Sequence, residues 1–212
     1  MGQLTFNEKG KKGQKEDYEW LNIWCEETND ETLPRIALIG DSITQQSYSV
    51  VKNKLEGRAR IDYLATSYSI ASSTYKRMVE SFFNDSNYEI VYFNYGLHGY
   101  GVTIEEYESV YREMLKLFLK KSKVVIGLTT TITNAGKIKE DGGCWKSVIE
   151  SRNQKAVKLA EEFGLLIDDL YSISVELGVG GKLSDGIHFN ESGNRKIGAS
   201  KALSLKKVLE TL

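Results

Sequence analysis

The stretch that decides the fold is RIALIGDSI, residues 35–43. Residues 35–40 form a short, nearly continuous apolar run, which is typical of a strand buried on both faces of a sheet. Gly40 and Asp41 break the run, and Ser42 stands where a helix would begin. The free N–H groups at the start of that helix would point toward a serine in this turn. The stretch therefore predicts a buried parallel strand followed by a turn suited to a nucleophile.

Further apolar runs occur along the chain, at residues 60–65, 89–94, 123–128 and 165–170. The intervening stretches have a helical period and predict helices over 43–56, 71–84, 145–163 and 193–211, with another that begins after a capping box of Thr103 and Glu106. Strands that alternate with helices in this way imply right-handed crossovers and a parallel sheet between two layers of helices. Sites in such sheets lie at the carboxyl ends of the strands.

Length and composition narrow the class of protein. The chain of 212 residues suits one domain, expected over residues 35–212 behind an N-terminal arm or extension at residues 1–34. Because 28 Lys and Arg balance 29 Asp and Glu, no basic field favours a nucleic-acid partner. No apolar run has the length of a signal peptide or membrane helix, which predicts a soluble, cytoplasmic protein unless an export signal was trimmed. Cys25 and Cys144 are expected to be thiols rather than a bridge, and self-association into a homo-oligomer is left open.

A second motif lies just before the last predicted helix, in Asp185-Gly186-Ile187-His188. A serine nucleophile needs a base to accept its proton and a third group to hold that base in the right tautomer. Asp-x-x-His can supply both from one loop. Each motif also has a simpler interpretation, with Ser42 as a helix cap and an Asp-Gly turn before a partly buried histidine. Their occurrence together in one sheet protein favours a Ser-His-Asp triad.

On these residues the chain resembles the SGNH or GDSL hydrolases, whose first block is Gly-Asp-Ser after the first strand and whose last is Asp-x-x-His. The resemblance covers about residues 24–209. It implies a three-layer α/β/α sandwich with a flavodoxin-like, five-stranded parallel sheet. It also implies that Ser42 is the nucleophile, that His188 is the general base and then acid, and that Asp185 orients the imidazole.

The resemblance further implies an oxyanion hole. In the family this hole usually combines the N–H of the nucleophile, here Ser42, with a glycine N–H from a second block. The second block here is residues 94–99, in which Gly99 takes the glycine's place and Gly96 is the alternative. Either glycine could instead merely allow a tight turn.

The third block departs from the family pattern. Thr129-Thr130-Thr131 stands where most members have Gly-x-Asn-Asp, and this combination resembles a less studied bacterial branch. The family's third oxyanion donor is an asparagine side chain from this block. Here it could be the Thr131 hydroxyl, the Asn134 amide after a loop shift, or absent. The polar loop 135–143 is expected to form a lip over the site, capped or braced by Arg152 and Asn153.

The predicted substrate is a small-molecule or carbohydrate ester. Trp24 and Trp145 could stack on a sugar, although large aromatic residues more often pack in a core. His98 is expected to have a structural or substrate-contacting role. No metal-ligand spacing and no nucleotide-binding loop occurs in the sequence, so neither a metal nor a cofactor is expected. The hypotheses are a serine esterase for a small acyl group, an O-acyltransferase with the same triad, and a non-catalytic carbohydrate-binding relative.

Overall fold

The computed structural model describes residues 15–99, 101–133 and 145–212. The strands are β1 (Leu21–Trp24), β2 (Arg35–Gly40), β3 (Arg60–Thr66), β4 (Ile90–Phe93), β5 (Lys123–Gly127) and β6 (Leu166–Asp168). The α-helices are α1 (Ser42–Lys54), α2 (Ser73–Asp85), α3 (Ile104–Phe118), α4 (Trp145–Phe163), α5 (Leu170–Leu177) and α6 (Glu191–Leu209). A 3₁₀ turn covers Val179–Gly181.

These strands form one sheet in the order β1-β3-β2-β4-β5-β6. The five strands from β2 to β6 pair in parallel, in the order typical of flavodoxin-like folds. One apolar cluster packs the face of the sheet toward α2, α3 and α4, and a second packs the face toward α1 and α6. The predicted three-layer α/β/α architecture is confirmed.

The prediction of five strands omitted β1. This strand lies within the predicted N-terminal arm and pairs antiparallel with β3, placing Leu21 opposite Thr66. Its side chains are mostly exposed, so the strand has no apolar pattern that would reveal it in the sequence. The last predicted strand, 165–170, was too long, because β6 ends at Asp168 and Asp169 caps α5.

The turn after β2 lies against the end of β4. A Cβ on Gly40 would come within 2.2 Å of Thr44 Oγ1 and 2.7 Å of the Asn94 carbonyl oxygen, so only glycine fits. Strand order reverses here, since β2 lies between β3 and β4, and ligands of open α/β sheets bind at such a point. The fold thus places the expected binding site at the carboxyl ends of β2 and β4.

None of the helices in the described ranges has the length and apolar character needed to cross a membrane. Cys25 carries a free thiol, whereas Cys144 lies outside the described residues.

Candidate active site

Ser42 is the first residue of α1, and Asp41 is its cap. The Asp41 carboxylate accepts the Ile43 N–H at 2.9 Å, so the interpretation of Ser42 as the helix cap is wrong. The Ser42 hydroxyl is thereby left to interact with other loops. Its N–H is in the first turn and has no acceptor within the helix.

His188 and Asp185 lie beside this hydroxyl in one chain of hydrogen bonds. His188 Nε2 is 2.8 Å from Ser42 Oγ, and His188 Nδ1 is 2.7 Å from Asp185 Oδ2. The other carboxylate oxygen, Oδ1, accepts the N–H groups of Ile187 at 2.8 Å and His188 at 2.9 Å. Partial burial acts to raise the pKa of Asp185, but these hydrogen bonds lower it to about 2. The carboxylate is therefore ionised at neutral pH and holds the imidazole with Nε2 toward the serine.

The loop that carries this pair is held at several points. The His188 carbonyl accepts the Leu183 N–H at 2.8 Å, and the Lys182 ammonium donates to the Ile187 carbonyl at 2.7 Å. The same ammonium lies 3.5 Å from the centre of the Phe189 ring, a cation–π contact. Burial lowers the pKa of Lys182 to about 8, against the opposing effect of nearby carboxylates. Lys182 thus contacts the residues on both sides of His188, through the Ile187 carbonyl and the Phe189 ring.

The second block, residues 94–99, follows β4. Gly99 has a φ of +84°, which favours glycine, whereas a Cβ on Gly96 would come within 2.1 Å of Thr129 Oγ1. Arg152 of α4, only 1% exposed, donates to the carbonyls of Gly96 at 2.9 Å, His98 at 2.7 Å and Gly99 at 2.7 Å. The buried guanidinium of Arg152 therefore holds the backbone of this block against α4.

Comparison with known proteins adds to this geometry. No protein-family model matches the chain, and a search of curated proteins finds no relative. Among solved structures, a lipase/acylhydrolase from Enterococcus faecalis is 16% identical over 82% of this chain and 96% of its own, with a TM-score of 0.69. A Slackia heliotrinireducens protein described as an SGNH hydrolase is 14% identical over 82% of this chain and 100% of its own, at 0.67. The chain has the SGNH hydrolase fold.

A third neighbour of the same fold is a catalytic mutant of an acetylxylan esterase from Geobacillus stearothermophilus. It is 14% identical over 83% of this chain and 94% of its own, with a TM-score of 0.65. At such identities the likeness shows the fold alone.

In this SGNH fold the segment after β5 contacts other loops of the site. The Thr131 N–H donates to Ser174 Oγ at 2.8 Å, and its side chain interacts with the Tyr171 hydroxyl, so the described contacts of Thr131 are with α5. Asn134 lies outside the described residues. The loop 135–143 also lies outside them, so its bracing by Arg152 and Asn153 stays a prediction. Asn153 binds the backbone of Thr129 through two hydrogen bonds of 2.8 Å each.

The predicted sugar-stacking residues have different surroundings. Trp145 is 5% exposed and packs with Leu97, Ile132 and Ile149. Trp24 is 55% exposed and lies on the outer strand β1. It stands opposite Tyr63 of β3, away from the carboxyl ends of the parallel strands. The structure therefore does not bring Trp24 to Ser42.

His98 has partners that the sequence did not indicate. Its Nδ1 is 2.7 Å from Glu16 Oε1, and the Trp20 ring meets the imidazole edge-on at 6.5 Å. Burial acts to lower the pKa of His98, but the Glu16 bond and the nearby Asp41 raise it overall. Residues of the predicted arm thus lie on the edge of the site. The sequence of this arm is charged and rich in glycine and has no apolar period, so it did not predict that Glu16 and Trp20 contact His98.

Within the described ranges, no cluster of His, Cys, Asp and Glu residues has the arrangement of a metal site.

Proposed function

We propose that this chain is a serine esterase that hydrolyses a carboxyl ester through an acyl-serine intermediate. The observation that carries the proposal is the continuous hydrogen-bond chain from Ser42 Oγ through His188 to Asp185. A nucleophile hydrogen-bonded to a base, which is itself oriented by a third group, is the arrangement that activates serine on unrelated folds.

In the proposed reaction, His188 Nε2 accepts the Ser42 proton as Oγ attacks the ester carbonyl. The resulting oxyanion is stabilised by backbone N–H groups, for which we assign Ser42 and Gly99, with Gly96 as the alternative. His188 then gives its proton to the leaving alcohol, and the acyl group remains on Ser42. Water, deprotonated by His188, attacks this ester in the same way and releases the carboxylic acid. Asp185 stabilises the imidazolium in both halves and stays ionised.

The third donor is assigned to Thr131, with Asn134 as its alternative. The Thr131 backbone is fixed by Ser174 of α5, which supports a defined position for its side chain. The interaction of that side chain with Tyr171 competes with a bond to the oxyanion. Substitution of Thr131 is therefore one of the experiments that test the proposed function.

A small acyl group fits the side chains around the triad. An apolar cluster joins Leu97 of the second block, Ile132 after β5 and Trp145 of α4, with Ile187 packed against it. Because Ile187 immediately precedes His188, we place this cluster next to the reacting groups. Large side chains that already fill this space favour acetyl over a long acyl chain.

A carbohydrate ester is the proposed substrate class. One neighbour of the same fold is described as an acetylxylan esterase, and another, from Talaromyces cellulolyticus, as a carbohydrate esterase of family 3. The competing functions are an acyltransferase, in which a sugar hydroxyl replaces water, and a non-catalytic carbohydrate-binding relative.

The test compares hydrolysis of aryl acetate, butyrate and octanoate by the wild-type protein and by Ser42→Ala. We expect acetate to be the best substrate and Ser42→Ala to lose at least about a thousandfold in turnover while keeping its fold. Ser47→Ala is the matched control, because Ser47 lies on the same helix and, among the described residues, its hydroxyl binds the backbone carbonyls of Ile43 and Thr44. Full activity in folded Ser42→Ala would refute the proposal. Acetyl transfer to an added sugar, in place of acetate release, would favour the transferase.

A further inference from the structure

Arg152 has an unusual position for a charged side chain. It lies on α4 and is 1% exposed, so its charge is removed from water. Its guanidinium faces three backbone carbonyls of one short loop, those of Gly96, His98 and Gly99, at 2.7 to 2.9 Å. The ring of Tyr107 lies 5.0 Å from the guanidinium carbon on one side, and that of Trp145 lies 5.2 Å from it on another. Desolvating an arginine is costly, and these contacts offset that cost.

The orientation of one peptide group connects these contacts to the site. In a trans peptide the C=O and the following N–H point in opposite directions. Because the His98 carbonyl points at Arg152, the Gly99 N–H points away from α4. This N–H finds no acceptor among the described residues. An N–H that is fixed in direction and free of an acceptor is what an oxyanion hole requires.

The conformation of Gly99 supports the same interpretation. Two consecutive carbonyls, those of His98 and Gly99, reach one guanidinium only where the backbone curls between them. Gly99 has this left-handed conformation, with a φ of +84°. The fork of N–H groups on arginine matches such a pair of acceptors, and the single ammonium of lysine does not.

Charge adds a second effect. A cation next to a carbonyl polarises the peptide group, so the N–H on the other side becomes a stronger donor. The full positive charge of Arg152 also lies behind the loop at which negative charge develops in the tetrahedral intermediate. Both effects are strongest once negative charge has formed on the oxyanion, so they increase turnover more than substrate binding.

We propose that Arg152 is a positioning residue that orients and polarises the Gly99 N–H as an oxyanion donor. This inference rests on the proposed function, since it concerns the same reaction. It adds a residue that touches neither substrate nor triad, and it selects Gly99 over Gly96.

Tyr107 offers a matched control in the same loop. Its hydroxyl donates to the Tyr95 carbonyl at 2.6 Å, so it acts on the peptide whose N–H belongs to Gly96. Tyr107→Phe removes that bond but keeps the ring beside Arg152. If Gly99 is the donor, Arg152→Met should lower turnover far more than Tyr107→Phe.

The experiment measures kcat and KM for aryl acetate hydrolysis, the inhibition constant of an alkyl boronic acid, and the thermal midpoint. The boronic acid forms a tetrahedral anion on the serine and so reports on the oxyanion hole. For Arg152→Met we expect kcat to fall by about ten- to a thousandfold, with KM changing by less than about threefold. The boronic acid should bind more weakly by a similar factor. The kcat and the boronic acid affinity of Arg152→Lys should lie between those of Arg152→Met and those of the wild type.

Several outcomes separate the inference from the function on which it rests. An inactive wild-type protein, or a fully active Ser42→Ala, would overturn both. An active wild type with unchanged kcat in folded Arg152→Met would overturn the inference alone, as would a loss confined to KM or a larger loss in Tyr107→Phe. Should Arg152→Met fail to fold, Arg152→Lys is judged by the same split between kcat and KM and by boronic acid binding.

Discussion

Asp185→Asn is the substitution for which the structure predicts the sharpest result. Asparagine has the shape of aspartate, but one of its two oxygens is replaced by an NH₂ group. In the protein Asp185 Oδ1 accepts two backbone N–H groups, from Ile187 and His188. The amide oxygen of an asparagine would take that position, because an NH₂ group cannot accept those bonds. The NH₂ group would then face His188 Nδ1.

This arrangement gives the imidazole the wrong tautomer. Facing a donor, His188 Nδ1 must act as an acceptor, so the ring proton resides on Nε2. The ring atom that is 2.8 Å from Ser42 Oγ then cannot accept the serine proton. A change of tautomer of this kind costs about 10⁴-fold in turnover, which corresponds to about 5 kcal/mol in activation free energy. The two backbone bonds remain but lose the charge of their acceptor, so the thermal midpoint should fall less than in Asp185→Ala.

The assay is steady-state hydrolysis of aryl acetate at neutral pH, with thermal unfolding followed by circular dichroism. Asp185→Ala is the comparison, because it loses the two backbone bonds as well as the imidazole bond and should lower both turnover and the thermal midpoint. The reasoning fails if folded Asp185→Asn keeps more than about a tenth of wild-type turnover. It also fails if its activity falls only in proportion to a fall in stability.

Two further predictions concern the triad and the third donor. Activity should not respond to EDTA, because the proposed triad uses no metal. Hydrogen bonds lower the pKa of Asp185 to about 2, so its carboxylate stays ionised above that pH and should add no step to the pH profile of activity between pH 4 and 6. Such a step that disappears in Asp185→Asn, or a metal requirement, would contradict the triad. Thr131→Val should lower turnover by about ten- to a thousandfold and Asn134→Ala should change it little, measured with aryl acetate. The reverse order would assign the donor to Asn134.

Much of the fold could be predicted because its parallel strands are buried on both faces. The run 35–40 matches β2 in full, and the helix predicted over 145–163 matches α4. Continuous apolar runs indicate the buried strands, and apolar residues at a helical period indicate the helices, so both can be predicted from the local sequence. In contrast, β1 has exposed side chains and exists only through its pairing with β3. Long-range pairing of this kind leaves no local pattern.

The candidate site divides in the same way. Ser42, Asp185 and His188 stand at element boundaries within short motifs, so they could be picked out from the sequence. The contacts of Arg152 could not be, because they join α4 to a loop more than 50 residues away. Its position one turn from Ile149 and one turn before Ala156, both buried, was the only signal that this arginine lies on the apolar face of α4.

The distance between the proposed nucleophile and the proposed base depends on the packing of two helices. Ser42 begins α1, and His188 lies just before Asn190, which caps α6. Gly198 of α6 approaches α1 so closely that a Cβ would come within 2.6 Å of Val50 Cβ, and the buried Lys201 of α6 lies 3.3 Å from Thr44 Oγ1.

These contacts fix the register of α6 along α1. Because each helix starts at one half of the triad, the same register brings the loop of His188 to the hydroxyl of Ser42, at a separation of 146 residues in the chain. A rigid helix pair holds a base at hydrogen-bonding distance better than two loops alone. The core between α1 and α6 therefore contributes to the proposed catalytic arrangement as much as the loops that carry its residues.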